Sequence, residues 1–202
     1  DAIVGALYPL VSADGRFVAF SAPWTAPGSA RTTRQVFLRD RVSNAVLIVS
    51  VPTGTDPATG VTSFTMSRVG SQVAFRSADD NLVIDDGHPG ADTFVWDRGA
   101  NRISIVPGIR RQADAPLAQG LDAPALSGDG RFLAATMVLS TAGGQALVHD
   151  RQTGATALLS LGTDGRLGDR YSGPIAISED GRRVIFHSNA TTLVPGDANG
   201  QE

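Results

Sequence analysis

One nine-residue phrase occurs four times in this chain, and no other feature restricts the fold as severely. Ser12-Ala13-Asp14-Gly15-Arg16-Phe17-Val18-Ala19-Phe20 returns as Ser67-Arg68-Val69-Gly70-Ser71-Gln72-Val73-Ala74-Phe75. It returns again as Ser127-Gly128-Asp129-Gly130-Arg131-Phe132-Leu133-Ala134-Ala135 and as Ser178-Glu179-Asp180-Gly181-Arg182-Arg183-Val184-Ile185-Phe186. The aligned glycines, Gly15, Gly70, Gly130 and Gly181, stand 55, 60 and 51 residues apart. Repeats of that length are supersecondary units that bury their apolar surface only by stacking on their neighbours. Each phrase lies between two short apolar runs, and its Gly supplies the positive φ of a tight hairpin. Four hairpins are therefore expected.

A second phrase follows the first three hairpins. Val36-Phe37-Leu38-Arg39-Asp40-Arg41, Thr93-Phe94-Val95-Trp96-Asp97-Arg98 and Ala146-Leu147-Val148-His149-Asp150-Arg151 read as strands ending in Asp-Arg. Four residues past each Asp stands Asn44, Asn101 or Gly154. These types accept a left-handed backbone, so a type I turn with a bulge is the expected connection. Asp14, Asp40, Asp97, Asp129, Asp150 and Asp180 are accordingly read as structural turn caps. A further β-rich run, at 45–51, 102–106 and 155–161, completes a unit of four antiparallel strands, a to d in chain order.

Strand b carries Val18, Val73, Leu133 and Val184 in one column and Ala19, Ala74, Ala134 and Ile185 in the next. Neighbouring strand residues face opposite ways, so these strands are expected to be buried on both faces. Sheets stacked face to face around an axis achieve that, and no stretch shows a capped 3.6-residue apolar period. The expected fold is all-β: a β-propeller of about three and a half four-stranded antiparallel blades, forming a single partial propeller over 1–202. Its blades span about 7–51, 62–106, 123–161 and 173–202, and the 23 Gly and 11 Pro supply the turns. The last blade has strands a and b and the loop 190–202 but no c or d. The expectation is thus part of a larger propeller, or a ring completed by self-association with another chain.

These residues resemble the WD40-like repeats of the TolB type, also called PD40 repeats, whose signature is Ser-Pro-Asp-Gly followed by an apolar strand. Ala13 stands in place of the Pro, Val69-Gly70 interrupts the Asp-Gly of the second copy, and Asp129-Gly130 and Asp180-Gly181 keep it. The Asp-Arg pairs look like the Trp-Asp that closes the third strand of ordinary WD repeats, and the second copy has Trp96-Asp97 itself. The resemblance implies a propeller in an extracellular or periplasmic protein.

Composition narrows the function classes. Arg supplies all 17 basic charges against 20 Asp and Glu, a net charge of -3. No cationic excess is available for a nucleic-acid backbone or an anionic membrane surface. The apolar runs are too short to cross a bilayer, so neither nucleic-acid binding nor membrane insertion is expected. Without Cys there are no disulfides, thiolate metal sites or Cys nucleophiles. No Gly-x-Ser-x-Gly elbow, His-Glu-x-x-His, Walker loop or dinucleotide fingerprint occurs, so no catalytic residue and no organic cofactor is assigned. His88, His149 and His187 lack metal-ligand spacing to one another. His149 and Asp150 are adjacent strand residues and so face opposite ways, which disfavours a dyad.

Two loops after strand b look alike, 81–92 and 192–202. Asp197-Ala198-Asn199-Gly200 places oxygen ligands on alternate residues beside a Gly, a pattern that suits Ca²⁺, and Asp86 and Asp92 are the matching acids of the earlier loop. The alternative is a pair of Asx-stabilised loops without metal. The expected function is a non-catalytic binding or scaffold module that contacts a protein or glycan partner through its loops. Two other classes stand beside it. One is the propeller of an enzyme, peptidase-gating or glycan-active, whose catalytic residues lie outside this chain; the other is a structural subunit of an extracellular assembly.

Overall fold

The Ser-x-x-Gly phrase reverses the chain at all four of its positions. The computed structural model describes residues 4–51, 56–79, 81–83, 91–106, 118–139 and 143–196. In it Gly15, Gly70, Gly130 and Gly181 have φ of 70, 66, 74 and 71°, and each donates its N–H to the carbonyl of the Ser three residues earlier. Among the described residues, fourteen strands form three four-stranded sheets and one two-stranded sheet, all antiparallel and paired in chain order. The first sheet holds β1 (Leu7–Val11), β2 (Phe17–Thr25), β3 (Thr32–Asp40) and β4 (Val46–Ile48). The second holds β5 (Val61–Met66), β6 (Gln72–Ser77), β7 (Asp92–Asp97) and β8 (Arg102–Ile105). The third holds β9 (Ala118–Leu126), β10 (Phe132–Leu139), β11 (Gly143–Asp150) and β12 (Thr156–Leu158). The last is the hairpin of β13 (Ser172–Ile177) and β14 (Val184–Ser188).

The connection after each Asp-Arg passes through a left-handed residue, with φ of 58° at Asn44, 45° at Asn101 and 76° at Gly154. The outermost strands it leads to, β4, β8 and β12, are only three or four residues long, shorter than the β-rich runs in the sequence. The inner strand β9 is longer than its sequence run, at nine residues.

The chain divides into two compact units, Asp1–Val106 and Pro107–Glu202. In the first, the sheets β1–β4 and β5–β8 share a core that includes Phe17, Val36, Leu38, Val73, Phe75 and Trp96. Phe20 stacks on its cross-strand partner Phe37 at 5.5 Å, and Phe75 on Phe94 at 5.7 Å, so the same pair recurs in both sheets. In the second unit β13 packs against β9, β10 and β11, and Leu133, Ala134, Ala146 and Leu147 are fully buried. The two-faced burial expected of strand b holds in β6, where Val73, Ala74 and Phe75 are buried in succession, and in β10. It fails in β14. Ile185 there is 65% exposed and Ile175 of β13 is 63% exposed, because among the described residues of its unit this hairpin has a sheet on one side only.

Candidate functional site

The two ends of each sheet differ in chemistry. At the end carrying the a–b turns, a Ser that is buried at positions 12, 67 and 127 and half-buried at 178 begins a repeated lock. Ser12 Oγ donates to Asp14 Oδ1 at 2.5 Å and accepts the Phe17 N–H at 2.9 Å, while Asp14 Oδ1 also accepts the Arg16 N–H at 3.0 Å. Ser127 with Asp129 and Ser178 with Asp180 repeat all three bonds. Where Val69 replaces the Asp, Ser67 still accepts the Gln72 N–H at 3.0 Å and meets Ser71 Oγ at 3.2 Å. The Ser hydroxyl holds the carboxyl of Asp14 and that of Asp180 below the ordinary range, with the backbone donor adding to it. At Asp129 the Arg131 N–H is the larger cause.

The Arg after Gly15 and the Arg after Gly130 tie this turn to the end of strand c. Arg16 grips Asp40 through Nε at 3.0 Å and Nη2 at 2.8 Å, and Arg131 grips Asp150 at 3.0 and 2.6 Å. These bidentate bonds hold Asp40 and Asp150 far below the usual carboxylate range. In the second sheet Gln72 Nε2 bonds Asp97 Oδ2 at 3.0 Å in place of the Arg. The first Oδ of each Asp also accepts a backbone N–H two or three residues on: Val42 for Asp40, Ala100 for Asp97 and Gln152 for Asp150. Within each unit, neighbouring turns bond directly, Ala13 N–H to Arg68 O and Gly128 N–H to Glu179 O. Phe17 packs beneath Gly70, and Arg98 lies 3.9 Å above the Phe17 ring.

The sequence reading did not single out a second lock at the opposite end. Gln35 and Gln145, each five residues before the Asp of strand c, are completely buried. Ser50 Oγ donates to Gln35 Oε1 at 2.7 Å and accepts the Val36 N–H, and Ser160 does the same for Gln145 and Ala146. Gln35 Nε2 then reaches Thr59 O, and Gln145 Nε2 reaches Gly168 O and Arg170 O, so each amide anchors the segment leading into the following strand a. The only signal was the recurrence of Gln at one offset. Asp79, also buried, accepts the Thr59 N–H at 2.9 Å on the same side.

The candidate metal residues divide. Asp86, Asp197 and Asn199 lie outside the described residues, and Asp92 is the first residue of β7, paired with Ser77. Among the described residues no group of three or more His, Asp or Glu is gathered as a metal cluster would be. His149 and Asp150 diverge: Asp150 bonds Arg131, and buried His149 places Nδ1 2.8 Å from Thr156 Oγ1, with burial pushing its pKa down.

No protein-family model matches the sequence, and no curated protein matches it. Solved structures match in fold. TolB from Acinetobacter baumannii aligns with a TM-score of 0.51 at 16% identity, over 88% of this chain and 39% of its own. The β-propeller domain of the Trilobed protease from Pyrococcus furiosus, described as having an open velcro topology, gives 0.51 at 14%, over 84% and 44%. A prolyl endopeptidase gives 0.57 at 12%, over 90% and 25%. The chain spans less than half the length of each of these structures. At such identities the likeness establishes the fold, which is that of a β-propeller, with TolB-type propellers among its structural neighbours.

Proposed function

We propose that this chain is a non-catalytic binding or scaffold module of a secreted or periplasmic protein, engaging a protein or glycan through the b–c end of its sheets. The contrast between the two ends carries the reading. At the turn end the Ser bond to a backbone N–H recurs in all four sheets, the Ser–Asp bond in three and the Arg–Asp fork in two. At the other end the b–c connections between named strands are 6, 14 and 3 residues long, at 26–31, 78–91 and 140–142. Length variation on a fixed scaffold is how loops carry differing recognition groups. The localisation rests on the resemblance to TolB-type repeats. Calcium at Asp86, Asp92, Asp197 and Asn199 belongs to the same proposal, and titration calorimetry with millimolar Ca²⁺ checks it: no heat removes it.

Purified chain should retain ligands on glycan and peptide arrays and turn over neither chromogenic glycosides nor peptide anilides. Replacing 78–91 by a three-residue connection should change the set of ligands retained. Retention indifferent to that exchange, or turnover by the chain alone, would overturn the reading. The fold likeness to the Trilobed protease and prolyl endopeptidase supports a second reading, a propeller attached to a hydrolase, in which a Gly-x-Ser-x-Gly segment belongs to another part of the same polypeptide.

A further inference from the structure

A cleft of about 280 Å³ opens at the b–c end of the first unit, between the sheets β1–β4 and β5–β8, lined by Tyr8, Ser21, Arg34 and the stretch Val61–Phe64. Among the described residues Arg34 is the only charged one of that lining. Its Nη1 donates to Gly5 O at 3.2 Å, to Ser21 O at 3.2 Å and to Ser21 Oγ at 3.4 Å. Three acceptors on one nitrogen orient the guanidinium, whereas Nε and Nη2 make no hydrogen bond among the described residues. Among the described residues no carboxylate lines the cleft. Gly60 permits this geometry, since a Cβ there would lie 3.0 Å from Arg34 O and 3.1 Å from Arg34 N.

The walls are amphipathic. Tyr8 stands at φ 54° before Pro9, beside a bulge between Leu7 and Leu10, and is 71% exposed. A left-handed backbone before proline is unfavourable for a bulky residue. Ala123 before Pro124 has φ 49° at the same offset, so the distortion belongs to strand a and what is particular to this site is the phenol ring it carries. Phe64 offers a second ring face. Thr62 Oγ1 accepts from Arg76 Nη1 at 3.4 Å, which leaves its own proton to donate.

We propose that this cleft binds a carboxylate on a ligand about the size of one monosaccharide or amino-acid residue, with the Nε and Nη2 edge of Arg34 as the fork that receives it. An oriented guanidinium with an open edge matches the two oxygens of a carboxylate. The volume lies just under the roughly 300–1,000 Å³ of drug-sized sites, which limits the occupant to a single residue. The inference rests on the reading that this end of the sheets binds ligands, and it names the chemistry.

The test uses the 202-residue chain and two carboxylate probes, methyl glucuronide and N-acetylalanine, followed by NMR chemical shifts and calorimetry. Their neutral counterparts are methyl glucoside and N-acetylalanine amide. At least one carboxylate should bind and shift the resonances of Tyr8, Arg34 and Phe64, with its neutral counterpart about tenfold weaker. Glucuronide alone identifies a glycan source, and N-acetylalanine alone a peptide terminus. Arg34→Lys, which keeps the charge but not the fork, should weaken binding about tenfold. Tyr8→Gly, which suits the native φ and leaves the Arg34 bonds to Gly5 and Ser21 intact, should weaken it severalfold while the melting temperature is kept. Absence of any shift at millimolar probe, equal binding of the neutral counterparts, or full affinity in both variants would overturn the proposal. Array ligands retained unchanged by both variants yet lost on exchange of 78–91 would overturn it while leaving the broader reading standing.

Discussion

At the residue scale the Ser of the repeated phrase matters as much as the Asp-Gly that makes it visible. Removing a buried hydroxyl that both donates to a carboxylate and accepts a backbone N–H leaves that N–H unpaired and takes one of the carboxylate's donors away. Ser127→Ala should therefore cost about 1–2 kcal/mol in urea unfolding, whereas the same change at Ser43, whose bonds to Ala45 and Asp40 are exposed to water, should cost less. The depressed carboxyls set a pH dependence whose sign is definite. Asp14, Asp40, Asp129, Asp150, Asp169 and Asp180 all lie below their ordinary value of 3.8 in the folded chain. The unfolded chain thus takes up protons first, and stability that is complete above that value is lost as pH falls below it. His149, lowered from 6.5, adds an earlier loss that begins as pH drops through that region. Melting temperature against pH should fall in two stages. His149→Gln should flatten the first and Asp150→Asn should shrink the second; a profile unchanged in both variants would contradict the assignments.

At the element scale the stacking of one sheet on the next is decided at the turns and at the buried amides. Gly70 needs its missing side chain twice, for φ of 66° and because a Cβ would lie 2.8 Å from Phe17 Cβ and Cδ2. Gly70→Ala should destabilise by about 2 kcal/mol or more in urea unfolding, and a companion Phe17→Leu, which keeps the Cβ that the new methyl meets, should not restore the loss. Gln145→Met keeps the volume but strands Ser160 Oγ and the carbonyls of Gly168 and Arg170. It should cost about 2 kcal/mol, with amide exchange faster in 168–177 than in β10. The hairpins and left-handed turns were legible in the sequence because each depends on a residue type at a fixed offset. The Gln and Ser locks were not, because a buried amide and a surface amide look alike until the partner segment is in place. The short β4 and β12 were not legible for a related reason: the Ser50 and Ser160 hydroxyls take the Val36 and Ala146 N–H groups, so side chains replace the backbone pairing that would lengthen these strands.

At the scale of the whole molecule, charge and sheet stacking give separate expectations. A net charge of -3 built from Arg, Asp and Glu, with Arg16 and Arg131 engaged by Asp40 and Asp150, supplies no excess of cations to gather phosphates. Duplex DNA should keep its electrophoretic mobility in the presence of the chain at low salt, and retardation abolished by added salt would refute that. What the amino-acid order determined alone was the unit: four glycine-centred hairpins, three Asp-Arg strand ends, and an all-β chain of stacked quartets, since these follow from local φ requirements and strand periodicity. What only the tertiary structure decided was which apolar columns are covered and which polar groups meet. Ile185 occupies the same column as buried Ala74 and Ala134, yet it faces solvent because burial depends on the neighbouring sheet and not on the residue. Arg34 is one arginine among 17 until folding places it beside Tyr8 and Phe64 with one edge open, because a site made by four separate strands has no signature along any one of them.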